Sequence, residues 1–332
     1  MLFIDRHGEA AGAVLEAIAG GDCVAKLERE LSVAVGKNTV ALSSPDAALH
    51  TALYLCGVND GDYVFVPTFT FYSYIATVEH VGGIPVFLDC DPNTRCVSPA
   101  ALETALLWSD LQGKPPKAVI VDNAFGAIAD YDVLSPLCKA WGAPLIELCC
   151  DAFCGDYKGR RCGSNGDYGI IGFDKRLIGG GGALVCGDDC EAARKFARFI
   201  YSDGENHDYK MNEFVAALDR AQLQVSEKIT ARARKNLAAL SAGLDCVAPP
   251  TEGDAAAYAL CKVVDRMDEL AGAGYDVKKL PPVHTLPRYS DRYFFEHEPN
   301  YAVCESFAGY CLIGMDISVL RRIKLMRMLK TR

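Results

Sequence analysis

Short apolar runs alternate with helix-like segments through the first half of the chain. Strands are predicted over residues 38–42, 63–67, 84–88, 118–121 and 145–149, with helices between them. Strands of four to six apolar residues separated by helices are typical of a parallel sheet covered on both faces. The sequence therefore predicts an α/β domain.

The pattern changes after four consecutive glycines at residues 179–182. Long amphipathic helices are predicted over residues 190–201 and 212–240, followed by short strands and a closing helix. We therefore expect a large α/β domain with a helical spine over residues 1–240 and a small C-terminal α+β domain over residues 241–332.

Composition narrows the class of protein. The chain has 332 residues, half of them apolar, which is enough for a sizeable core, and its net charge is −9. A negative chain is a poor partner for nucleic acid or an anionic membrane surface. No run of 18 apolar residues and no secretory leader pattern is found, so we expect a cytoplasmic protein without a membrane span.

The fifteen cysteines are scattered through apolar runs. We interpret most of them as buried thiols in a reducing environment. A metal site is the alternative, with Cys149, Cys150, Cys154 and Cys162 as candidates, but they lack the two CxxC pairs of a zinc ribbon. We therefore expect no metal site.

Lys175 stands out by its surroundings. It lies in Gly172-Phe173-Asp174-Lys175-Arg176-Leu177-Ile178, directly before the glycine run and an apolar strand. A lysine on a short turn before such a strand is typical of one class of cofactor enzymes that bind their cofactor through a Schiff base. An ordinary surface lysine is the alternative. The glycine run precedes a strand rather than opening a helix, so it indicates close packing and not a phosphate cradle.

Two further motifs allow more than one interpretation. Ser44-Pro45-Asp46 begins a helix after a predicted strand, and free N–H groups there can hold a phosphate. Alternatively, Ser44 is the N-cap, Pro45 is the first helical residue and Asp46 satisfies the helix dipole. Arg6-His7-Gly8-Glu9 spells the histidine phosphatase signature, but the short preceding strand makes coincidence the better interpretation.

Several motifs agree, in order, with one family. They lie at residues 43–50, 61–71, 83–92, 157–167, 209–223 and 282–285, and Tyr-Lys-Gly-x-x-x-Gly-Ser-x-Gly-Asp at 157–167 is matched nearly letter for letter. Over about residues 20–330 the chain resembles the DegT/StrS family of pyridoxal-phosphate-dependent sugar aminotransferases, of fold-type I. The resemblance implies a seven-stranded, mostly parallel sheet sandwiched by helices, and a dimer.

The resemblance also implies site residues and a reaction. Lys175 would bind pyridoxal 5'-phosphate and shuttle protons, and Phe71 would stack on the cofactor ring. An amino group would pass from an amino acid, glutamate, to a nucleotide-linked keto sugar in polysaccharide or secondary-metabolite biosynthesis. The cofactor-binding positions of the family match Ser44, Asp46, Gly172 and Asp208. In the C-terminal part, Arg288, Tyr289, Arg292 and Tyr293 are candidate diphosphate or sugar contacts.

The chain departs from the family pattern at the cofactor. Leu148 matches the Asp that holds a proton on the ring nitrogen, and Asp151 takes that role only if the strand runs three residues longer. Asp46 and Asp208 bring negative charge toward a phosphate dianion, which predicts weak cofactor binding. The alternative function is an inactive paralogue that acts as a structural or regulatory subunit, in a heterodimer with an active homologue. An unrelated α/β protein is the third interpretation.

Overall fold

The computed structural model describes residues 12, 15–17, 19–173, 180–198, 208–242, 246–247, 255, 257–279, 282–290 and 301–330. The Arg6-His7 motif and Lys175 lie outside the described residues.

Nine strands precede the long helical region. They are β1 (Thr39–Leu42), β2 (Tyr63–Pro67), β3 (Ile84–Leu88), β4 (Ala118–Asp122), β5 (Leu145–Leu148), β6 (Asp156–Tyr157), β7 (Arg160–Arg161), β8 (Tyr168–Gly172) and β9 (Gly182–Val185). All except the β6–β7 hairpin form one seven-stranded sheet in the order β1-β9-β8-β5-β4-β2-β3. Only β9 runs antiparallel to its neighbours in this sheet. The expected mostly parallel seven-stranded fold is confirmed.

Helices cover both faces of this sheet. They are α1 (Cys23–Val35), α2 (Pro45–Leu55), α3 (Tyr72–His80), α4 (Pro99–Leu111), α5 (Tyr131–Ala140) and α6 (Cys190–Ala197). Alternating strand residues serve the two faces, since Val64 and Val66 pack with α2 and α3 while Phe65 packs with α4 and α5. Strands buried on both faces explain the nearly continuous apolar runs of the sequence.

The C-terminal part is built on a long helix and a second sheet. Its elements are α7 (Glu213–Ser241), β10 (Cys246–Val247), β11 (Tyr258–Cys261), α8 (Met267–Gly272), β12 (Val277–Lys278), α9 (Pro287–Ser290), α10 (Ala302–Ser306), β13 (Cys311–Gly314) and α11 (Val319–Lys330). The four strands pair antiparallel in the order β10-β11-β13-β12. One face of this sheet packs on α7 and α11, and the other packs toward Phe69 and Phe125 of the N-terminal part.

The described cysteines are mostly free thiols, in agreement with the sequence. Thirteen are free, and all of these except Cys56 and Cys190 are buried. Cys261 is disulfide-bonded and lies opposite Cys246 in the β10–β11 register. Among the described helices, none combines the length and the apolar character needed to cross a bilayer.

Candidate active site

The predicted site residues that the structure describes gather at one edge of the central sheet. Ser44 follows β1, Phe71 follows β2, Asp151 follows β5, and Gly172 ends β8. These four strands run in the same direction, so their carboxyl ends lie at one edge. Ligands of open α/β sheets bind at this edge. The edge is therefore the candidate site.

Phe71 presents an aromatic ring at this edge. It is the residue before α3, and its side chain is half-buried. The ring centroid lies 5.8 Å from that of Phe125 and 6.2 Å from that of Tyr74, both in edge-to-face contact. Edge-to-face contacts with two neighbouring rings fix the plane of the Phe71 ring at this edge.

Asp151 lies three residues beyond the end of β5 and is buried, with 3% of its surface exposed. Its Oδ2 accepts a hydrogen bond from the backbone N–H of Phe125 at 3.2 Å. Phe125 in turn contacts Phe71 through its ring. The carboxylate is therefore held beside the aromatic residues that border the site.

Leu148 lies elsewhere. It is the last residue of β5, it is fully buried, and in register it faces Asp122 of β4 and Ile170 of β8. Its side chain packs in the apolar cluster between the sheet and α2. A side chain in that position is part of the core.

The start of α2 follows the capping interpretation of the sequence. Ser44 has extended backbone angles, and its Oγ accepts a hydrogen bond from Ala47 N at 3.0 Å. Pro45 is the first helical residue, and Asp46 lies half-buried in the first turn. The Ser44 hydroxyl still has its own O–H to donate.

Two glycines allow the chain to pack tightly against this helix start. A Cβ added at Gly182 would lie 2.8 Å from Pro45 N and 2.9 Å from Ser44 O. A Cβ added at Gly172 would lie 2.7 Å from Cys150 Sγ and 3.0 Å from Pro45 Cγ. A side chain at either position would push the helix start out of place, which explains why glycine occupies both.

Lys175 itself lies outside the described residues. That it lies close to Phe71 and Asp151 therefore stays a prediction. Phe173, which directly precedes the undescribed residues 174–179, donates its backbone N–H to Gly181 O at 3.0 Å. Phe173 is fully buried and packs edge-to-face on Phe153. Phe173, the last described residue before Lys175, is therefore held in the core directly after Gly172.

Asp208 lies on the surface next to this helix start. Tyr209 O accepts from Ser43 N at 2.8 Å, and Tyr209 OH contacts His50 Nδ1 at 2.7 Å. The Asp208 carboxylate lies 3.3 Å from Lys210 Nζ. A neighbouring cation weakens the repulsion that Asp208 would exert on a phosphate.

Two of the candidate sugar contacts have other partners. Arg288 Nε and Tyr289 OH both donate to Glu79 Oε2, at 2.9 and 2.8 Å. Tyr289 is 2% exposed and packs on Phe87. These two residues therefore attach the C-terminal part to α3, while Arg292 and Tyr293 lie outside the described residues.

Sequence reasoning missed several neighbours of the site. Phe125 has a φ of 59°, a left-handed conformation that a phenylalanine rarely adopts, so no local pattern signals it. Thr70 donates to the buried Asp122 carboxylate at 2.6 Å. Burial raises the pKa of Tyr74 well above its ordinary range, and Cys150, Asp122 and Asp151 act in the same direction. The buried residues around the site therefore include more acidic groups than the motifs alone indicated.

Known proteins resemble this chain in sequence and in fold. The chain matches the family model of the DegT/DnrJ/EryC1/StrS aminotransferases over residues 6–272. It is 32% identical over 323 residues to EpsN of Bacillus subtilis, which is named as a pyridoxal phosphate-dependent aminotransferase, with 88% of this chain and 83% of that protein covered. It superposes on a DegT DnrJ EryC1 StrS aminotransferase from Brucella abortus with a TM-score of 0.86 at 24% identity, covering 99% and 98% of the two chains.

Other relatives carry names that specify a substrate. An L-glutamine:2-deoxy-scyllo-inosose aminotransferase of Micromonospora echinospora is 32% identical over 229 residues, with 62% of this chain and 53% of that protein covered. A GDP-perosamine synthase of Escherichia coli O157:H7 is 25% identical over 276 residues, with coverage of 76% and 74%. From the family match and the similarity to EpsN along most of both chains, the chain belongs to the DegT/DnrJ/EryC1/StrS family of pyridoxal-phosphate-dependent aminotransferases.

Proposed function

We propose that this protein transfers an amino group from an amino acid, glutamate, to a nucleotide-linked keto sugar. The observation that carries the proposal is the buried Asp151 carboxylate beside Phe125 and Phe71, at the carboxyl edge of the parallel strands. A pyridine ring needs an aromatic side chain against its face and an acidic group at its nitrogen. Phe71 and Asp151 offer these two groups.

The residues present fit pyridoxal 5'-phosphate. Lys175 would hold it covalently, Phe71 would cover one ring face, and Asp151 would meet the ring nitrogen. The Ser44 hydroxyl, with the amino end of α2 behind it, would meet the phosphate. When bound, the cofactor supplies an electron sink for the carbon that gains or loses the amino group.

The protein groups then have distinct tasks. Asp151 would keep a proton on the ring nitrogen, because a buried carboxylate stabilises a positive charge placed next to it. Lys175 Nζ, as a free amine, would serve as the base and acid that moves a proton to and from the reacting carbon. Phe71 keeps the ring in one plane and excludes water from that face.

Asp151 is the better candidate for the ring nitrogen than Leu148. Leu148 lies inside the strand and packs into the core, whereas Asp151 lies past the strand end. The strand does not run three residues longer as the sequence argument required, because β5 ends at Leu148 and Asp151 lies in the turn that follows. The buried Asp151 carboxylate at this edge supports the working enzyme over the inactive subunit.

Cofactor attachment can be tested directly. Purified protein mixed with pyridoxal 5'-phosphate should turn yellow, and borohydride should abolish the colour and leave a stable adduct on the tryptic peptide that contains Lys175. Lys175→Ala should give neither result. Lys139→Ala, at an exposed lysine of α5, is the matched control and should behave as the parent. A parent protein that never acquires the colour would favour the inactive-subunit interpretation.

The acceptor is the finer part of the proposal. The name of the GDP-perosamine synthase supports a nucleotide-linked sugar, and the names of the inosose aminotransferases support a keto-cyclitol with L-glutamine as donor. Loading the cofactor with L-glutamate or L-glutamine, then adding each acceptor class, separates the two. Transfer to a keto-cyclitol alone would contradict the nucleotide-sugar proposal.

We also infer a homodimer, because the resemblance places Asp208 toward the partner's phosphate and its exposed carboxylate lies beside the helix start. Light scattering on the purified chain measures this. A monomer that dimerises only with an active homologue would support the heterodimer instead.

A further inference from the structure

Asn123 is a fully buried polar residue directly after β4, at the edge of the sheet that carries the candidate site. Its side-chain amide joins two separate parts of the chain. Oδ1 accepts from Ala129 N at 3.0 Å and from the Tyr131 hydroxyl at 2.9 Å, and Nδ2 donates to Glu147 Oε1 at 2.9 Å. The orientation of the amide follows from these partners, because the backbone N–H of Ala129 can only donate.

Asn123 closes the loop that follows β4. Its backbone N–H donates to Leu148 O of β5 at 3.0 Å, which fixes residue 123 to the sheet. Its Oδ1 holds the far end of the loop through Ala129 and through Tyr131, the first residue of α5. Residues 124–128 are therefore held at both ends by one residue.

This loop carries Phe125 in a conformation that needs such support. Phe125 has a φ of 59°, and backbone strain of this kind persists only where the surrounding structure fixes it. Its N–H donates to the buried Asp151 Oδ2 at 3.2 Å, and its ring contacts that of Phe71. The next residue, Gly126, donates its N–H to Asn123 O at 3.3 Å. Asn123 and Asp151 are therefore linked through Phe125.

Glu147 holds the amide of Asn123 in place. It is a fully buried residue of β5, and its carboxyl group also accepts from Asn165 N at 2.8 Å and from Asn165 Nδ2 at 3.1 Å. A buried polar network with its hydrogen bonds formed is rigid. Because Glu147 binds Asn123 Nδ2, it keeps Asn123 Oδ1 directed at the loop.

We propose that Asn123, oriented by Glu147, is a positioning residue for Asp151. It holds residues 124–128 in the conformation in which the Phe125 N–H meets the Asp151 carboxylate. The inference rests on the proposed function only for the role of Asp151 at the cofactor. Loss of the Asn123 amide should therefore let the carboxylate shift, although Asn123 itself does not touch the cofactor.

Hydrogen exchange of the full-length protein tests the loop contact without any catalysis. Asn123→Ala should speed exchange of the amides at residues 124–129 about tenfold or more, while the amides of β2 exchange as in the parent. Asn236→Ala is the matched control, because Asn236 is also almost fully buried and its Nδ2 donates to Met315 O and Ile317 O in the C-terminal part. The control should leave exchange at residues 124–129 as in the parent. Unchanged exchange there in Asn123→Ala would overturn the proposal.

A double-mutant cycle tests whether Asn123 acts through Asp151. The full-length protein is loaded with pyridoxal 5'-phosphate, and conversion of the cofactor by L-glutamate is followed. We expect Asn123→Ala to lower the rate at saturating glutamate about tenfold with little change in KM, and to lower it less than about twofold when Asp151→Asn is already present. Equal losses in both backgrounds would show that Asn123 acts independently of Asp151, which would overturn the positioning role.

Tyr131→Phe covers the case in which Asn123→Ala does not fold. It removes one of the two donors to Asn123 Oδ1 and keeps the ring, so exchange and turnover should change in the same directions by roughly threefold. Exchange at residues 124–129 equal to that of the parent would then overturn the proposal. A parent protein that never binds the cofactor would contradict the proposed function, and the exchange measurement alone would decide whether Asn123 positions Asp151.

Discussion

Asp151 is the residue on which the proposed chemistry of the site depends most. Asp151 is buried because β5 ends three residues earlier and the chain then turns toward Phe125, whose backbone N–H donates to the Asp151 carboxylate. We expect Asp151→Asn, which keeps the shape and removes the charge, to lower turnover on the order of a hundredfold. The rate of cofactor conversion by L-glutamate measures this. Turnover equal to the parent would show that another group serves the ring nitrogen.

The converse substitution at Leu148 gives the matched test. Leu148→Asp places a carboxylate inside the apolar cluster between the sheet and α2, so unfolding should become easier by roughly 3 kcal/mol or more. Leu148→Met, which conserves volume, should change stability little. Thermal denaturation compares the three proteins. A folded Leu148→Asp protein with faster turnover would instead place position 148 at the cofactor.

At the scale of elements, the start of α2 and the strand β9 form one packed unit. Gly182→Ala would force a Cβ to within 3 Å of the Ser44 and Pro45 backbone, and overpacking of this kind costs about 1–3 kcal/mol. The helix start should shift, and cofactor affinity should fall roughly tenfold or more. Gly272→Ala is the control, because a Cβ there meets nothing within 4 Å. Equal cofactor binding in both variants would show that this contact does not shape the phosphate site.

The elements with strong local patterns are those that the sequence predicts well. Strands 63–67 and 84–88 are observed over the same residues, because a buried parallel strand leaves an unmistakable apolar run. The sequence predicts no strand where β8 is observed, because Tyr168–Gly172 begins and ends among glycines. The sequence does not predict the left-handed backbone of Phe125, because that conformation comes with a tertiary contact to Asp151, which no local pattern encodes.

At the scale of the whole molecule, His284 links the two parts of the chain. Its Nδ1 contacts the Thr68 hydroxyl at the end of β2, and its Nε2 lies 3.2 Å from Glu305 Oε1 of α10. Burial lowers the pKa of His284, and this effect outweighs the opposing pull of Glu305. The folded protein therefore binds a proton here less readily than the unfolded chain does.

A lowered histidine pKa gives the sign of a pH effect. The contribution of His284 to stability is present above the pKa of histidine in the unfolded chain, about 6.5, and is lost as the pH falls below that value. We expect the unfolding free energy of the parent to drop between about pH 7 and 5.5 more steeply than that of His284→Gln. Urea denaturation at several pH values measures the difference. His80→Gln, at the last residue of α3, is the comparison variant, and parallel curves for the parent and His284→Gln would contradict the assignment.

The helix α7 has a consequence for how such proteins can be recombined. Its first turns supply Ala216 and Ala217 to the core behind α1, and its last turns supply Ala233, Leu237 and Leu240 to the core of the small sheet. A rod of 29 residues, about 43 Å long, thus belongs to both hydrophobic cores. Grafting the C-terminal part of a relative onto this chain at residue 241 would therefore leave the α7 side chains of this chain packed against the small sheet of another protein. Chimeras meant to exchange acceptor preference should carry α7 and its contacts with them, or place the junction before Glu213.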